Sequence, residues 1–600
     1  MPSITINGVK TDFSPGQTIL QVANRLQKEG KAIEIPQYCY HDGLSIAANC
    51  RICLVEVWSP NAKSGQLEPF MGGKLLPSCQ QTAADGMVVY ADSPKAVANQ
   101  KAVMEYLLIN HPLDCPVCDQ AGECWLQDYS YKYGRGVSRF EEQKVKNPKK
   151  DLGPHVYLYA DRCIMCTRCV RFTREVTGTG ELLVTGRGNK EEIDVFTGVG
   201  IANELSANVT DICPVGALLE KDFLFAQRVW FLKTTPSIDG ITASGDNIFV
   251  EHNEGKIYRI KPRENLAVNT FWITDEVRFG WKHVHAEQRL RSPFRRQYGT
   301  LVECEWSRAY EDALSGLKKA TSLGASTAGK RLLVIVSPNL SCEEAFALAT
   351  LARTLDPNAV LAVGAVPVRG QDKVFPNKPA EQRFGIKDGF RVYAEKAPNA
   401  RGVRRVLEAI AGAGNVLDDA GTLRALGSGS AHSDIGAVIV TGNYTPENAD
   451  AFATEQLRQA LGGKFVVLLD TFASSLLDAT NVFLPASTWI EKAGVFENAK
   501  NKLQAFEQAI QPIEGTRPEG QIAFDLLHLN ALGGQYENAL SNARGPAGST
   551  TIAPRPETFK AANVRQLMAE RHEPLRVFVT SVSFPEVSAQ QQPDMELIEI

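Results

Sequence analysis

Twelve side chains in the first third of the chain are of the types that bind soft metals, and eleven of them are cysteines. Along the sequence they fall into three groups of four: Cys39, Cys50, Cys53 and Cys79; His111, Cys115, Cys118 and Cys124; and Cys163, Cys166, Cys169 and Cys213. Four thiolate or imidazole ligands are what one iron–sulfur cluster requires. The spacing therefore predicts three clusters and a role in moving electrons.

The composition narrows the class of protein. A chain of 600 residues is too long to fold around one hydrophobic core, and its length suggests about four domains. A net charge of −4 without a basic stripe argues against a nucleic-acid partner. No apolar run reaches the ~20 residues that span a bilayer, and the start of the chain has no signal or transit pattern, so we expect no direct membrane insertion. Eleven of the 13 cysteines precede residue 214, a clustering that favours metal ligands over disulfides.

The first group follows a β-rich start. Residues 3–13, turned at Asn7-Gly8, predict a hairpin, and residues 14–17 predict the N-terminal cap of a helix that ends near Gly30. A hairpin, a helix and a cysteine-bearing loop resemble the β-grasp fold of plant-type [2Fe–2S] ferredoxins. In those proteins four residues separate the first two cysteine ligands, whereas in this chain ten residues separate Cys39 from Cys50. A zinc site is the alternative that Cys-x2-Cys permits.

The second group begins with a histidine. A predicted helix over residues 96–110 ends at His111-Pro112, because proline cannot continue it. A histidine four residues before three tightly spaced cysteines is interpreted as the fourth ligand, and a capping or surface role is the alternative. Imidazole in place of thiolate removes one negative charge and should raise the reduction potential, as in Rieske centres.

The third group has the spacing of half a two-cluster ferredoxin. Such proteins have two Cys-x2-Cys-x2-Cys-x3-Cys-Pro runs, and each fourth cysteine serves the other cluster. Cys213-Pro214 supplies the distant fourth ligand for Cys163, Cys166 and Cys169. The four positions for a second cluster hold other residues, namely Thr173, Asn203, Ser206 and Val209. We therefore predict a ferredoxin-like module with one [4Fe–4S] cluster.

Three motifs carry a family resemblance. Residues 111–128, His-Pro-Leu-Asp-Cys-Pro-Val-Cys-Asp-Gln-Ala-Gly-Glu-Cys-Trp-Leu-Gln-Asp, resemble almost residue for residue the one-histidine, three-cysteine motif of a family of iron–sulfur subunits. These are the large iron–sulfur subunits of NADH:quinone oxidoreductase, known as the G-type subunit in bacteria and the 75 kDa subunit in mitochondria. Residues 185–189 and 211–218 are also similar to this family.

The resemblance implies cofactors, partners and a location. It implies one [2Fe–2S] cluster on the first group and [4Fe–4S] clusters on the other two. Electrons would come from a flavin subunit that oxidises NADH and pass to a ferredoxin-like subunit, within the peripheral arm of a proton-pumping membrane complex. The chain would lie at the cytoplasmic face of the bacterial inner membrane, attached through partner subunits.

The second half predicts an α/β domain. Valine- and leucine-rich runs at residues 332–336, 360–363, 437–441 and 465–469 alternate with helical patterns at 343–355, 403–411 and 449–461, which favours a doubly wound parallel sheet. Residues 259–269 and 483–498 resemble molybdopterin oxidoreductases. Some relatives have four more cysteines and a further cluster near the first of these segments, but residues 214–303 contain no cysteine.

The predicted fold class is therefore a multidomain α/β chain. The predicted domains are a β-grasp [2Fe–2S] domain (1–85), a one-histidine, three-cysteine domain (86–150), a ferredoxin-like domain (151–228), a small β-rich unit (229–290), a molybdopterin-oxidoreductase-like α/β domain (291–535) and a partly flexible C-terminal extension (536–600). We expect no molybdenum cofactor and no independent catalytic site, with Cys304 and Cys342 as inert packing residues.

The predicted function is an electron-relay subunit of NADH:quinone oxidoreductase. An equivalent relay in an NAD-linked hydrogenase or formate dehydrogenase is the first alternative, and a standalone molybdoenzyme is the second. Arg51, Arg162 and Arg168 neighbour predicted ligands, and their positive charge is expected to favour the reduced clusters.

Overall fold

The computed structural model describes residues 2–188, 190–321, 330–387, 389–427, 434–533 and 558–585. The chain forms two compact units. The first comprises residues 1–232, 270–275 and 374–390, and the second comprises 233–269, 276–373 and 391–600. The six-part division made from the sequence stays a prediction.

The first unit begins with a six-stranded sheet and a helix. Its strands are Ser3–Ile6, Val9–Asp12, Leu54–Pro60, Leu67–Pro69, Leu76–Pro77 and Val88–Tyr90. The strand Ser3–Ile6 pairs antiparallel with Val9–Asp12 and parallel with Val88–Tyr90. The helix Ile19–Lys28 packs Leu20 and Leu26 into the core beneath this sheet. This mixed sheet covered by one helix has the predicted β-grasp character.

The predicted start of the first helix is wrong by four residues. The helix begins at Ile19, where the side chain of Thr18 accepts a hydrogen bond from the Gln21 amide in a capping box. Residues 14–17 instead close a turn in which the Gln17 amide donates to the Ser14 carbonyl. Gly16 has a φ of +87° in that turn, which is incompatible with a helix there.

The remaining elements of the first unit are short and frame the cysteine-bearing loops. The strands are Lys149–Asp151, Val156–Tyr159, Leu182–Thr185, Glu192–Val195 and Leu218–Glu220. The helices are Pro94–Ile109, Trp125–Tyr133, Arg168–Glu175, Asn208–Ile212 and Lys378–Phe384. Two further strands, Lys373–Phe375 and Phe390–Val392, lie where the chain passes between the two units.

The second unit is built on an eight-stranded sheet. In spatial order its strands are Thr300–Glu303, Phe294–Gln297, Val482–Pro485, Phe465–Asp470, Ile435–Thr441, Arg331–Val336, Val360–Val363 and Val416–Leu417. The last six are parallel to one another, and Phe294–Gln297 is antiparallel to its neighbours. Alternate residues of Arg331–Val336 enter two different hydrophobic clusters, so both faces of the sheet are covered. The predicted α/β fold class is confirmed.

Smaller elements complete the second unit. A three-stranded antiparallel sheet consists of Lys233–Ile238, Asn247–Asn253 and Lys256–Pro262, and a ribbon consists of Gly494–Glu497 and Leu503–Phe506. The helices are Trp306–Thr321, Cys342–Leu355, Ala400–Ala411, Asp419–Leu426, Ala449–Phe452, Glu455–Ala460, Glu519–Ala531, Ala561–Arg571 and Val577–Thr580. The helix Asp275–Phe279 begins in the first unit and ends in the second.

One expectation for the second half needs correction. The helix predicted over residues 449–461 is interrupted, because Thr454 caps a new helix by accepting from the Leu457 amide. Part of the C-terminal extension is packed, since Val564, Met568 and Phe578 are buried in the main core. The rest of that extension, residues 536–557 and 586–600, lies outside the described residues. Within the described ranges, no helix combines the length and apolarity that a bilayer crossing needs.

Candidate metal centres

The structure brings the four thiols of the first group together. Cys39 lies in the loop after the helix Ile19–Lys28, Cys50 and Cys53 lie in the loop before Leu54–Pro60, and Cys79 follows Leu76–Pro77. The Cys39 thiol lies close enough to those of Cys50 and Cys79, and the Cys79 thiol to that of Cys53, for each to change the pKa of the other. These contacts lower the pKa of Cys39 and raise the pKa of Cys50 and Cys79.

The four cysteines of the third group surround one cavity. Cys163, Cys166, Cys169 and Cys213 line it together with apolar side chains, among them Leu158, Ile164, Ile193, Val215 and Leu218. Burial raises the pKa of Cys163 and Cys169, and the charges of neighbouring cysteines add to the effect. A buried thiolate in such a place needs a positive partner, and iron is one. The distant Cys213 therefore joins the three closely spaced cysteines, as the ferredoxin spacing predicts.

The backbone around these two groups adopts conformations that position amide groups near sulfur. Ala48 and Arg51 in the first loop, and Met165 and Thr167 in the third, have φ between 52° and 60°. Non-glycine residues rarely adopt this region, and it recurs at sites that bind ligands. The amide of Met165 donates to the Cys163 sulfur over 3.4 Å. The amide of Arg168, at the start of the helix Arg168–Glu175, donates to Cys166.

The second group has a more exposed geometry. Cys118 and Cys124 are buried and Cys115 is exposed, in a 3-10 turn that spans Cys115–Val117. The three thiols are close enough that Cys118 and Cys115 add to the burial that raises the pKa of Cys124 to about 11. The pKa of His111 is lowered to about 4. Burial is the largest cause, and the charges of Arg162 and Lys144 lower the pKa further. His111 is thus neutral near pH 7, the form in which imidazole binds a metal.

The second and third groups are in direct contact through a glycine. A Cβ atom on Gly216, three residues after Cys213, would lie 2.3 Å from the Cys118 sulfur. The amide of Trp125, which follows Cys124, donates to the carbonyl of Pro214 over 3.0 Å. Glycine is therefore required at 216 for these two cysteine-bearing loops to approach this closely.

The first and third groups are joined by a clamped segment, residues 39–45. Four side chains from elsewhere in the first unit hold six of its backbone carbonyls. The carbonyls of residues 39 and 45 accept from Arg171, that of residue 40 from Arg168, those of 41 and 42 from Arg383, and that of 43 from Asn377. The long segment between Cys39 and Cys50 thus docks on the side chains that hold its carbonyls.

The arginines identified from sequence occupy different environments. Arg162 is buried, and its Nη2 lies 2.9 Å from a carboxylate oxygen of Asp114. Arg168 is buried, stacks on the Trp125 ring at 4.6 Å, and donates to the carbonyls of Tyr40 and Ile212. Arg51 is exposed, and only its backbone carbonyl makes a described contact, with the side chain of Asn99. The influence of these charges on the clusters stays a prediction.

Sequence reasoning missed Arg171. It lies one turn after Arg168 on the same helix and donates to the carbonyls of Cys39 and Cys166 at 2.6 and 3.1 Å. The available signal was the i, i+3 spacing of Arg168 and Arg171 in a helix that contains Cys169 and in which Val170 and Phe172 are also buried.

The four positions without cysteine are filled by ordinary packing. Val209 and Thr173 are fully buried, and the Thr173 hydroxyl donates to the Val170 carbonyl. Ser206 donates to Asp275, and Asn203 donates to Glu181. Side chains therefore occupy the place where a two-cluster ferredoxin would hold its second cluster.

The residues present fit iron–sulfur clusters. Among the described residues, no three His, Cys, Asp or Glu side chains converge on a single-ion position. The thiols surround a cavity in the third group, and a cluster needs this arrangement because each ligand binds a different iron. The buried Nε atoms of Arg168 and Arg171 have no acceptor among the described residues, so both are unsatisfied donors on the helix that carries Cys169.

The two remaining cysteines have a different chemistry. Cys342 is fully buried at the start of a helix, and the Asn399 amide donates to its sulfur over 3.4 Å. Burial raises the pKa of Cys342 well above its usual value, and burial also raises that of Cys304. Both side chains therefore favour the protonated thiol, as a packing role requires.

Family comparisons match successive parts of the chain. Residues 2–94 match a 2Fe-2S iron-sulfur cluster binding domain, 100–139 match the NADH-ubiquinone oxidoreductase-G iron-sulfur binding region, and 153–219 match the ferredoxin-like domain of NADH-quinone oxidoreductase subunit 3. Residues 232–282 match an NDSU1/NuoG-like 4Fe-4S domain, although they contain no cysteine. Residues 406–528 match molybdopterin oxidoreductase.

Curated proteins agree with these matches. The G-type subunit of NADH-quinone oxidoreductase from Rickettsia felis is 38% identical over 358 residues, which are 60% of this chain and 50% of that protein. The NADH-ubiquinone oxidoreductase 75 kDa subunit of Reclinomonas americana is 37% identical over 368 residues. The chain is related to these large iron–sulfur subunits. It spans about half the length of both relatives.

A solved structure is also similar over part of the chain. It is described as an NAD+-reducing [NiFe]-hydrogenase in the H2-reduced state, with 27% identity and a TM-score of 0.32. The match covers 38% of this chain and 91% of the hydrogenase chain.

Proposed function

We propose that this chain is an electron-relay subunit of an NADH:quinone oxidoreductase. The observation that carries the proposal is that the distant Cys213 joins three closely spaced cysteines around one cavity, beside two further cysteine groups. The relationship to the G-type and 75 kDa subunits supports the same conclusion.

In this proposal the three groups hold three clusters. Cys39, Cys50, Cys53 and Cys79 would bind a [2Fe–2S] cluster. His111, Cys115, Cys118 and Cys124 would bind a [4Fe–4S] cluster, and so would Cys163, Cys166, Cys169 and Cys213. When bound, iron–sulfur clusters supply reversible one-electron transfer without proton chemistry at the protein.

The side chains of the protein would fix and tune this path. The loops around Met165 and Thr167 aim amide groups at sulfur, and hydrogen bonds to ligand sulfur raise reduction potentials. Gly216 and the clamped segment keep the three groups adjacent. Burial of Cys118, Cys166 and Cys169 keeps water from the ligands.

The partners follow from the proposed role. A flavin subunit that oxidises NADH would deliver electrons, and a ferredoxin-like subunit of the peripheral arm would accept them. The chain would lie at the cytoplasmic face of a bacterial inner membrane, held there by other subunits. The α/β domain of the second unit would act as scaffold, without a molybdenum cofactor.

Iron and sulfide quantitation with low-temperature EPR tests the proposal. The purified chain should contain about ten iron atoms, because one [2Fe–2S] and two [4Fe–4S] clusters are proposed. Cys213→Ser should lose about four of them, and Cys304→Ser, the matched control, should lose none. A chain that binds zinc, or molybdenum without iron, would contradict the relay and favour the alternatives.

A further inference from the structure

Arg171 joins backbone atoms of two different cysteine groups. One of its Nη atoms, Nη2, donates to the carbonyl of Cys39 at 2.6 Å and to the carbonyl of Cys166 at 3.1 Å. Its other terminal nitrogen donates to the carbonyl of Ser45. A single guanidinium therefore contacts the first cysteine of one group and the second cysteine of another.

Arg171 forms no salt bridge among the described residues, although the Glu175 carboxylate, one turn further along the same helix, accepts from the amide and hydroxyl of Ser45. Arg171 is 9% exposed, and among the described residues no Asp or Glu lies within 4 Å of its side-chain nitrogens. Arg168 on the same helix face is 2% exposed and is likewise bonded to carbonyls. Two such charges are costly to bury unless a nearby anion balances them.

The cysteine groups are the anions whose backbone Arg171 contacts directly. Four thiolates with their cluster carry net negative charge, and one-electron reduction increases it. The Nε atom of Arg171 is buried and has no acceptor among the described residues, so it can also donate toward these groups. Both Cys39 and Cys166 contact the same cation, so reduction at either site is stabilised by it.

We propose that Arg171 is a positioning residue shared by the [2Fe–2S] site of Cys39 and the [4Fe–4S] site of Cys166, and that it raises the reduction potential of both while fixing the contact between their loops. The inference rests on the ligand assignments proposed above. It differs from them in assigning one side chain to two redox centres.

Charge removal is the first test. Arg171→Gln keeps a polar side chain but removes the charge and shortens the reach. In the full chain with its clusters, EPR potentiometry should show that both midpoint potentials fall, each by about a tenfold change in the reduction equilibrium, which is 59 mV for a one-electron couple. Arg174→Gln, exposed on the same helix, is the matched control and should move neither potential.

A second control separates a shared role from a general loss of positive charge. Arg162 contacts Asp114 and the carbonyl of Gly216 and makes no described contact with the first group. Arg162→Gln should therefore leave the [2Fe–2S] potential unchanged. If Arg171→Gln shifts only one cluster, or neither, the shared role is overturned.

Arg171→Lys separates charge from geometry. Lysine keeps the charge but has a single side-chain nitrogen. It therefore cannot reproduce the hydrogen bonds that the two terminal guanidinium nitrogens of Arg171 donate to three carbonyls. Both potentials should stay near those of the unmodified chain, while the magnetic interaction between the two reduced clusters changes. Potentials that fall as far as in Arg171→Gln would overturn the charge argument.

Iron content distinguishes the possible failures. If the unmodified chain lacks iron, the proposed function fails before Arg171 is tested. If the unmodified chain is loaded but neither Arg171 variant is, Arg171 serves assembly alone and the tuning role is overturned. If Arg171→Gln fails to load but Arg171→Lys loads with unchanged potentials, the charge is required and the proposal stands.

Discussion

Several buried cations in the two units of the chain have different kinds of partner. In the second unit, Arg289 forms two hydrogen bonds to Glu491, and Lys492 lies 2.9 and 2.7 Å from Glu344 and Glu519. In the first unit, Arg168 and Arg171 are bonded to backbone carbonyls instead. These cations of the second unit are therefore balanced by carboxylates, whereas Arg168 and Arg171 keep positive charge that an added anionic group can balance.

In terms of the proposed function, this contrast distinguishes the unit proposed as scaffold from the unit proposed to hold the clusters. A self-neutralised interior needs nothing further to be stable. An interior whose arginines contact only carbonyls and whose thiols lie close together is expected to gain stability when the proposed clusters bind, because these would balance the buried charges. Four predictions test the contrast, from the largest expected effect to the smallest.

Iron removal should affect the two units unequally. Chelation under reducing conditions should destabilise the first unit by roughly 10 kcal/mol, the scale of structural metal sites, because its cysteines and arginines lose their common partner. The second unit should keep its stability. Hydrogen exchange of residues 2–232 and 391–533, measured by mass spectrometry before and after chelation, separates the two responses. Equal changes in both ranges would refute the contrast.

Removing one cation should destabilise the second unit. Lys492→Met leaves Glu344 and Glu519 buried without their partner, which should cost about 3–5 kcal/mol of unfolding free energy. Lys502→Met, at an exposed position, is the matched control and should cost less than about 0.5 kcal/mol. Urea denaturation gives both values, and iron content should be the same in both variants. Equal costs would show that the buried ion pairs contribute nothing.

A buried carboxyl should give the second unit a pH dependence. Burial raises the pKa of Asp470 to about 6, although amides of Asn443 and Thr471 donate to it. The pKa of Asp470 in the folded state lies above the unfolded value of about 3.9. The contribution of this carboxyl to the free energy of unfolding is therefore greatest below pH 4 and is lost as pH rises through 6. Asp470→Asn should remove this pH-dependent change in unfolding free energy, which amounts to roughly 3 kcal/mol.

The measurement compares urea unfolding at several pH values between 4 and 7. The parent should lose stability relative to Asp470→Asn as pH increases over this range. A variant whose unfolding free energy follows the parent at every pH would exclude Asp470 as the titrating group.

A methyl group should disturb the contact between the second and third cysteine groups. Gly216→Ala places a Cβ 2.3 Å from the Cys118 sulfur and 3.0 Å from Gln120, which should cost about 1–3 kcal/mol and alter the EPR signals of both [4Fe–4S] sites. Gly136→Ala, where a Cβ meets no atom within 4 Å, should change neither. Unchanged spectra in Gly216→Ala would mean that the loops separate freely.

The sequence predicted the local features and missed several long-range ones. Spacing identified the twelve candidate ligands, and apolar runs located strands such as Val360–Val363 without error. The helix start at Ile19 was misplaced because Ser14 offers an equally good cap in isolation, and only the turn at Gly16 excludes it. The antiparallel strands Phe294–Gln297 and Thr300–Glu303 have polar patterns that only sheet pairing explains.

Arg171 shows the same limit at the candidate site. Its position in the helix Arg168–Glu175 is apparent from sequence, but its partners lie up to 132 residues away. A carbonyl contact has no residue-type signature, since every residue has a carbonyl. Only the folded chain reveals which two cysteine loops the guanidinium joins.

The clamped segment at residues 39–45 has a consequence for the order of biogenesis. Its carbonyls are held by Arg168 and Arg171, so it cannot take its final shape before the helix Arg168–Glu175 has formed. That helix begins within the Cys163–Cys169 loop, which iron would organise. If the proposed clusters are bound, maturation should thus run against the direction of synthesis, with the cluster of the Cys39 group inserted after the cluster of the Cys163 group.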